Sequence, residues 1–276
     1  MQRLWFITNP HSGSSDAAKA EAILAIFVER GLTLAGRTDF PAAELPTPGA
    51  LAKADVDTVV LFAGDGTINA AVRALAEWDG AILVLPGGTM NMLAKSLHGD
   101  ADPAAIILAA HDNEHLIPLP FVEAGKHRAL VGLIVGPAAN WFRARESIRE
   151  RKLADLWPAV RTAWRRTFGK GIRLAGAPGF PARAQAAYVR ADEDGLAIMA
   201  IDARDFRSVA DLGWNLITGD WVAAHAVTEI HAPRLTIAER RPVLALFDGE
   251  PVTLDPATAI TAGRTAEQFI ATKAPI

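Results

Sequence analysis

Three short glycine-bearing stretches fall within the first 91 residues: Asn9-Pro10-His11-Ser12-Gly13, Gly64-Asp65-Gly66-Thr67 and Pro86-Gly87-Gly88-Thr89-Met90-Asn91. Each directly follows an apolar run of strand character (Leu4–Ile7, Thr58–Phe62 and Ala81–Leu85), and the last two lead straight into helical patterns. That repeated order confines the amino-terminal part to an α/β arrangement with loops at the carboxyl ends of neighbouring parallel strands, where open sheets bind ligands. Small residues there let backbone N–H groups approach an anion closely. The helix starts behind them add the positive end of a dipole. The expected anion is a nucleotide phosphate.

Strand-like runs at 3–7, 32–37, 58–62 and 81–85 alternate with helical patterns at 16–30, 41–54 and 67–77, the signature of βαβ units. Further helices are expected at 90–97 and 102–110, before a proline-marked exit at Leu116-Ile117-Pro118-Leu119-Pro120. Beyond residue 120 the texture changes. Shorter β-like segments recur at 129–135, 171–175, 184–190, 196–201, 226–231, 243–247 and 258–261, broken by turns such as Glu193-Asp194-Gly195. This predicts an antiparallel β domain over 121–256 behind an α/β domain over 1–120.

Composition excludes several classes. A net charge of −3 argues against a dedicated nucleic-acid binder, which carries a basic excess over the whole domain. Absence of cysteine removes disulfides and thiolate chemistry and fits a reducing compartment. Met1-Gln2-Arg3-Leu4-Trp5 leads into a strand rather than a secretory leader, and no apolar run is long enough for a membrane span. The expected location is therefore the cytoplasm, with any bilayer contact peripheral. Lys95-Ser96 resembles the tail of a P-loop, but Thr89 and Ala94 stand where that pattern needs glycines, so a P-loop NTPase is excluded. The dinucleotide fingerprint G-x-G-x-x-G is missing after the first strand, which argues against a Rossmann oxidoreductase.

Four stretches taken together resemble, in chain order, the signatures of the diacylglycerol kinase catalytic-domain family: Asn9–Gly13, Ala63-Gly64-Asp65-Gly66-Thr67 with Asn69, Pro86–Asn91 followed by Ala94-Lys95, and Asp248-Gly249-Glu250. These are lipid kinases related to sphingosine kinases and, more distantly, to NAD kinases. The resemblance implies a nucleotide-binding α/β domain and a carboxyl-terminal β-sandwich, with ATP and Mg²⁺ in the cleft between them. It further implies that 257–276 returns to pack on the first domain. Asn9 and Ser12 would line the triphosphate, Gly64, Gly66 and Thr67 would wrap it, and Asp65 would lie near the phosphates or their metal. Gly88, Thr89 and Asn91 would complete the nucleotide wall. Asp248 would be the general base toward the acceptor hydroxyl, with Glu250 close by. The family usually has glycine at the position of Ala63 and aspartate at that of Met92. Read without the resemblance, Asp248-Gly249 is a hairpin turn between 243–247 and 251–254, and the two readings are compatible.

Asp192, Glu193, Asp194, Asp202, Asp205, Asp211 and Asp220 are all candidates for acidic metal positions in the second domain. The segment Arg143–Arg173 holds ten basic and three acidic residues with Trp141, Trp157, Trp164 and Phe168 interleaved, the pattern of an interfacial segment facing anionic headgroups. The alternative is a solvated helix that packs its tryptophans inward. His111-Asp112-Asn113-Glu114-His115 matches the H-x-x-E-H zinc pattern but sits at a helix end, where a polar connector is expected. The remaining histidines read as surface or satisfied core residues. The function expected is transfer of the ATP γ-phosphate to the hydroxyl of a lipid alcohol such as diacylglycerol, with Mg²⁺. The alternatives are an NAD kinase and an inactive nucleotide- or lipid-binding protein.

Overall fold

The computed structural model describes residues 1–10, 17–88, 91–136, 171–201 and 227–273. Ser12, Thr89, residues 143–170 of the basic segment, and Asp202, Asp205, Asp211 and Asp220 lie outside them. In chain order the described elements begin β1 (Arg3–Thr8), α1 (Ala17–Glu29), β2 (Thr33–Asp39), α2 (Pro48–Lys53), β3 (Thr58–Ala63), α3 (Asp65–Ala74) and β4 (Ala81–Pro86). Next come α4 (Met92–His98), α5 (Pro103–Asp112), β5 (Leu116–Ala124), β6 (His127–Ala129), β7 (Leu133–Val135), β8 (Leu174–Ala175) and β9 (Ala186–Ala191). The last are β10 (Leu196–Ile201), β11 (Val227–Ala232), β12 (Arg234–Ile237), β13 (Val243–Phe247), β14 (Glu250–Leu254) and β15 (Ala259–Ile270). The chain divides into two compact units: Met1–Leu119 with Arg264–Ile276, and Pro120–Gly263.

In the first unit the strands run in the order β2-β1-β3-β4, followed by the carboxyl-terminal part of β15. All of these pairings are parallel, including Gln268 and Phe269 of β15 beside Ala81 and Ile82 of β4. β3 and β4 are buried on both faces, which is why they read as continuous apolar runs rather than alternations. One described core holds Leu4, Phe6, Val60, Phe62, Leu83 and Leu85 of the sheet against Ile23 and Phe27 of α1 and Ile106, Ile107 and Ala110 of α5. The rings of Phe6 and Phe27 meet edge to face with centroids 5.7 Å apart. Because β1 pairs with both β2 and β3, the order reverses between β1 and β3. Their carboxyl ends lead directly to Asn9 and Gly64.

Within the second unit, six described strands form an antiparallel sheet in the order β11-β10-β9-β7-β13-β14. A second layer contains β5, β6, β8, β12 and the start of β15, and the two share one core. Val122, Ala124, Leu235, Ile237 and Ile260 from one layer pack with Leu133, Val189, Ile198, Ala245, Phe247 and Leu254 from the other. This is a β-sandwich.

Three local expectations differ from what forms. The helix expected over 41–54 shortens to Pro48–Lys53, because Thr47 caps its start, with Oγ1 accepting from Ala50 N–H, and Pro48 takes the first helical position. The proline-marked exit is itself a strand, β5, with Pro118 and Pro120 inside it. Arg234–Ile237, unmarked in the sequence reading, forms β12 between β8 and β15.

Candidate active site

The first unit's three loops are tied to one another by side chains of the sequence motifs. Asn9 follows β1, and its Nδ2 donates to Thr67 Oγ1 in the first turn of α3 at 2.9 Å. Asp65, at the start of α3, accepts from the Met92 N–H that opens α4, also at 2.9 Å. Asn91 stands at φ +51 as the N-cap of α4 and accepts with Oδ1 from Gly88 N–H at 2.6 Å. The β3 and β4 loops also touch through their backbones. A Cβ on Gly88 would lie 2.6 Å from Gly64 Cα, and one on Gly87 would lie 2.6 Å from Ala63 N, so glycine is required at both. Ala63 fits because it stays within β3.

These contacts bring Asn9, Gly64, Asp65, Thr67, Gly88 and Asn91 into one cluster over the strand-order reversal. Thr67 and Asn69 are buried, Asp65 and Asn9 are half-buried, and Gly66 is exposed. The N-cap of α3 is Gly64, which has no side chain of its own to cap the helix. The amides of a first helical turn have no intrahelical acceptor, so this end suits an anion. Among the described residues, no group of three or more His, Asp or Glu side chains is arranged to hold a metal. Asp65 is the acidic side chain of the cluster. Mg²⁺ fits such a site, since it is commonly held by one or two carboxylates and the substrate's phosphates.

In the second unit, Asp248 and Gly249 form the two-residue loop of the β13–β14 hairpin, with Phe247 paired to Glu250. Both loop residues have positive φ, +48 and +90, as a type I′ turn requires. The turn does not send the Asp248 side chain into solvent; it is 6% exposed. Its carboxylate accepts three backbone N–H groups from the segment between β6 and β7: Leu130 on Oδ2 at 2.7 Å, and Val131 and Gly132 on Oδ1 at 2.9 Å each. Asp248 N–H in turn donates to Gly132 carbonyl at 3.0 Å. Tyr188 on β9 completes the arrangement. Its hydroxyl donates to Val131 carbonyl at 3.0 Å, and its ring lies where a Cβ on Gly132 would be, 2.4 Å from Cε2. Burial first, and the Asp248 carboxylate second, push the Tyr188 phenol up to about 12, with Arg190 opposing. Glu250 is exposed and makes no side-chain hydrogen bond among the described residues.

The amide segment 130–132 and Tyr188 were absent from the sequence reading. Backbone donors carry no residue-type signal; the one available hint was Gly132 interrupting a β-like run. Elsewhere, Asp192 and Asp194 share the β9–β10 turn, where Asp192 accepts from Asp194 N–H and pairs with His231. The H-x-x-E-H stretch is a connector: α5 ends at Asp112, so His111 and His115 do not share a helical face, and Glu114 pairs with the Met1 amino group at 2.8 Å. His98 departs from the satisfied-core expectation. It is buried, its Nδ1 meets Thr272 Oγ1 at 2.9 Å, and its Nε2 has no partner among the described residues.

Residues 3–119 match the family model of the diacylglycerol kinase catalytic domain. No curated protein matches the chain. Among solved structures, the chain is similar to a diacylglycerol kinase from Bacillus anthracis str. Sterne, with 14% identity, a TM-score of 0.65, and coverage of 98% of this chain and 97% of that one. It is also similar to a candidate diacylglycerol kinase from the same organism, with 16% identity, a TM-score of 0.66 and the same coverage. At these identities the likeness to solved structures establishes the fold.

Proposed function

We propose, from the match of residues 3–119 to the family model of the diacylglycerol kinase catalytic domain, that the chain transfers the γ-phosphate of ATP to the hydroxyl of a lipid alcohol. The observation that carries the reading is the interlocked loop cluster of Asn9–Thr67, Asp65–Met92 and Asn91–Gly88 at the point where strand order reverses. Phosphoryl transfer needs positioned charge compensation more than covalent chemistry from the protein, and a rigid cradle of amides and small residues supplies it. The start of α3 and the glycines at 64, 66 and 88 hold the phosphates. Asn9, Thr67 and Asn91 set the spacing of the loops. Ser12 and Thr89 stand in the Asn9 and Gly88 sequence motifs and are assigned to the same nucleotide.

Mg²⁺ would be held by Asp65 and the phosphates, and when bound it neutralises charge on the transferring group. Asp248 is assigned as the residue that orients the acceptor hydroxyl and takes its proton, with Glu250 as its neighbour on the hairpin. Three amides on the Asp248 carboxylate keep it in one orientation, and a carboxylate accepts up to about four hydrogen bonds. Orientation counts for more than basicity where the transition state is loose and the proton departs late. Diacylglycerol is the acceptor proposed, at a membrane surface approached through the basic, tryptophan-bearing segment 143–173. Among the described residues no helix is long and apolar enough to cross a membrane.

The test is incubation with γ-labelled ATP, Mg²⁺ and mixed micelles carrying diacylglycerol, a sphingoid base or an isoprenoid alcohol, with NAD as a parallel acceptor. Label in a lipid supports the reading, label in NAD alone moves the activity to NAD kinase, and label in none with ATP still bound leaves a binding protein.

A further inference from the structure

The sequence contains one tyrosine, and the structure puts its hydroxyl on the peptide that holds the proposed base. Tyr188 donates to the Val131 carbonyl at 3.0 Å. That carbonyl belongs to the same peptide group as the Gly132 N–H, which donates to Asp248 Oδ1 at 2.9 Å. A hydrogen bond accepted at the oxygen of a peptide polarises the group and strengthens the bond its N–H donates, more so in a buried setting. Gly132 is buried, and the Tyr188 ring occupies the space any side chain there would need. The contact is therefore fixed by packing as well as by the hydroxyl.

We propose that Tyr188 is a positioning residue for Asp248, acting through the Val131–Gly132 peptide to set the orientation and basicity of the carboxylate. The inference rests on the kinase reading only for its consequence in turnover; the relay itself is a statement about three residues of one unit. It commits to a direction. The hydroxyl strengthens the Gly132 donor, which favours the ionised carboxylate, so removing it makes Asp248 more basic and less firmly held. The phenol is pushed up to about 12, so at neutral pH it remains the donor in this chain of bonds. Other titratable groups on the elements around Asp248 are His127 on β6, whose ring lies 5.5 Å from that of Phe247, Arg128 on β6, which pairs with Glu123, Arg190 on β9 and Glu250 on β14.

The sequence supplies a selective probe. Val-Gly occurs at 131–132 and 135–136 alone, so protein carrying ¹³C-carbonyl valine and ¹⁵N-glycine gives two peptide cross-peaks in an amide–carbonyl correlation spectrum. The Val131 carbonyl shift reports the tyrosine bond and the Gly132 amide proton reports the Asp248 bond, while Gly136, whose N–H donates to Leu244 carbonyl, serves as the reference. In Tyr188→Phe both signals of the 131–132 peptide are expected to move upfield while the reference stays. Biosynthetic 3-fluorotyrosine, a stronger donor confined to position 188 because no other tyrosine exists, is expected to move the Gly132 proton the other way. In the lipid kinase assay, Tyr188→Phe is expected to lower kcat several-fold, leave KM for ATP unchanged, and move the acid limb of the pH profile upward.

A Gly132 proton that stays in place while the Val131 carbonyl shifts overturns the relay, and so does a loss of activity carried by KM for ATP with an unmoved pH limb. If Tyr188→Phe fails to fold, the fluorotyrosine protein decides by the same two signals. Should wild type phosphorylate no acceptor, the kinase reading falls, and the two cross-peaks still decide whether Tyr188 acts on Asp248.

Discussion

Asp248 carries two loads at once, as the left-handed first residue of a hairpin loop and as the acceptor of three amides from another segment. Aspartate tolerates that backbone region better than most residues. The second load makes substitutions here structural as well as chemical. Asp248→Ala leaves three donors without an acceptor and is expected to destabilise the protein by about 3 kcal/mol or more, whereas Asp248→Asn keeps one oxygen for two of them and costs about 1–3 kcal/mol. Urea unfolding measures both, and equal losses would mean that the amides do not depend on the carboxylate. A fall in turnover for either variant therefore bears on the base only in protein shown to be folded. His98 gives a pH-dependent case. Burial lowers its pKa from 6.5 to about 4, with the Val84 backbone opposing. Above about pH 6.5 both folded and unfolded chains hold it neutral and it contributes no pH dependence. As pH falls from 6.5 to about 4, the unfolded chain takes up a proton that the folded chain refuses, so stability declines by up to about 3 kcal/mol. His98→Asn is expected to flatten that decline in urea midpoints measured at several pH values, and an unchanged slope would place its cause in other groups.

At the scale of elements, the parallel strands were legible because β3 after Thr58 and β4 are continuous apolar runs, and the glycine loops because backbone contact at Gly87 and Gly88 leaves room for no side chain. Helix length was less legible. The pattern over 41–54 runs on through Pro46-Thr47-Pro48 as though the chain were regular, and side-chain periodicity does not report the Thr47 cap. β5 was hidden by its prolines, and β12 by being only four residues long. The candidate residues divide the same way: the glycines, amides and carboxylates stand in motifs, while the Asp248 carboxylate is held by backbone groups, one peptide of which carries the Tyr188 hydroxyl. Gly88→Ala tests the cradle. Its Cβ would collide with Gly64 Cα, where only backbone can give way, so the β3 and β4 loops must separate. ATP affinity measured by calorimetry is expected to fall at least about tenfold, with the far-ultraviolet spectrum unchanged, and full affinity in that variant would remove the cradle from the nucleotide site.

The whole molecule holds two separately cored units, one around Phe6, Phe62 and Leu85 and the other around Leu133, Phe247 and Leu235. If the first binds the nucleotide, amide hydrogen exchange with ATP and Mg²⁺ should show new protection at 9–13, 64–67 and 87–91, while the β13–β14 hairpin responds only when a lipid alcohol is also present. Protection at the hairpin from nucleotide alone would assign ATP differently. That division of labour also dictates how turnover must behave. The most direct measurement is ADP release from ATP and Mg²⁺, followed with and without diacylglycerol micelles and compared with the lipid phosphate formed. The account predicts release that depends on the lipid and equals the phosphate it gains. Release at the same rate without lipid, or ADP with no phosphorylated lipid, would contradict it.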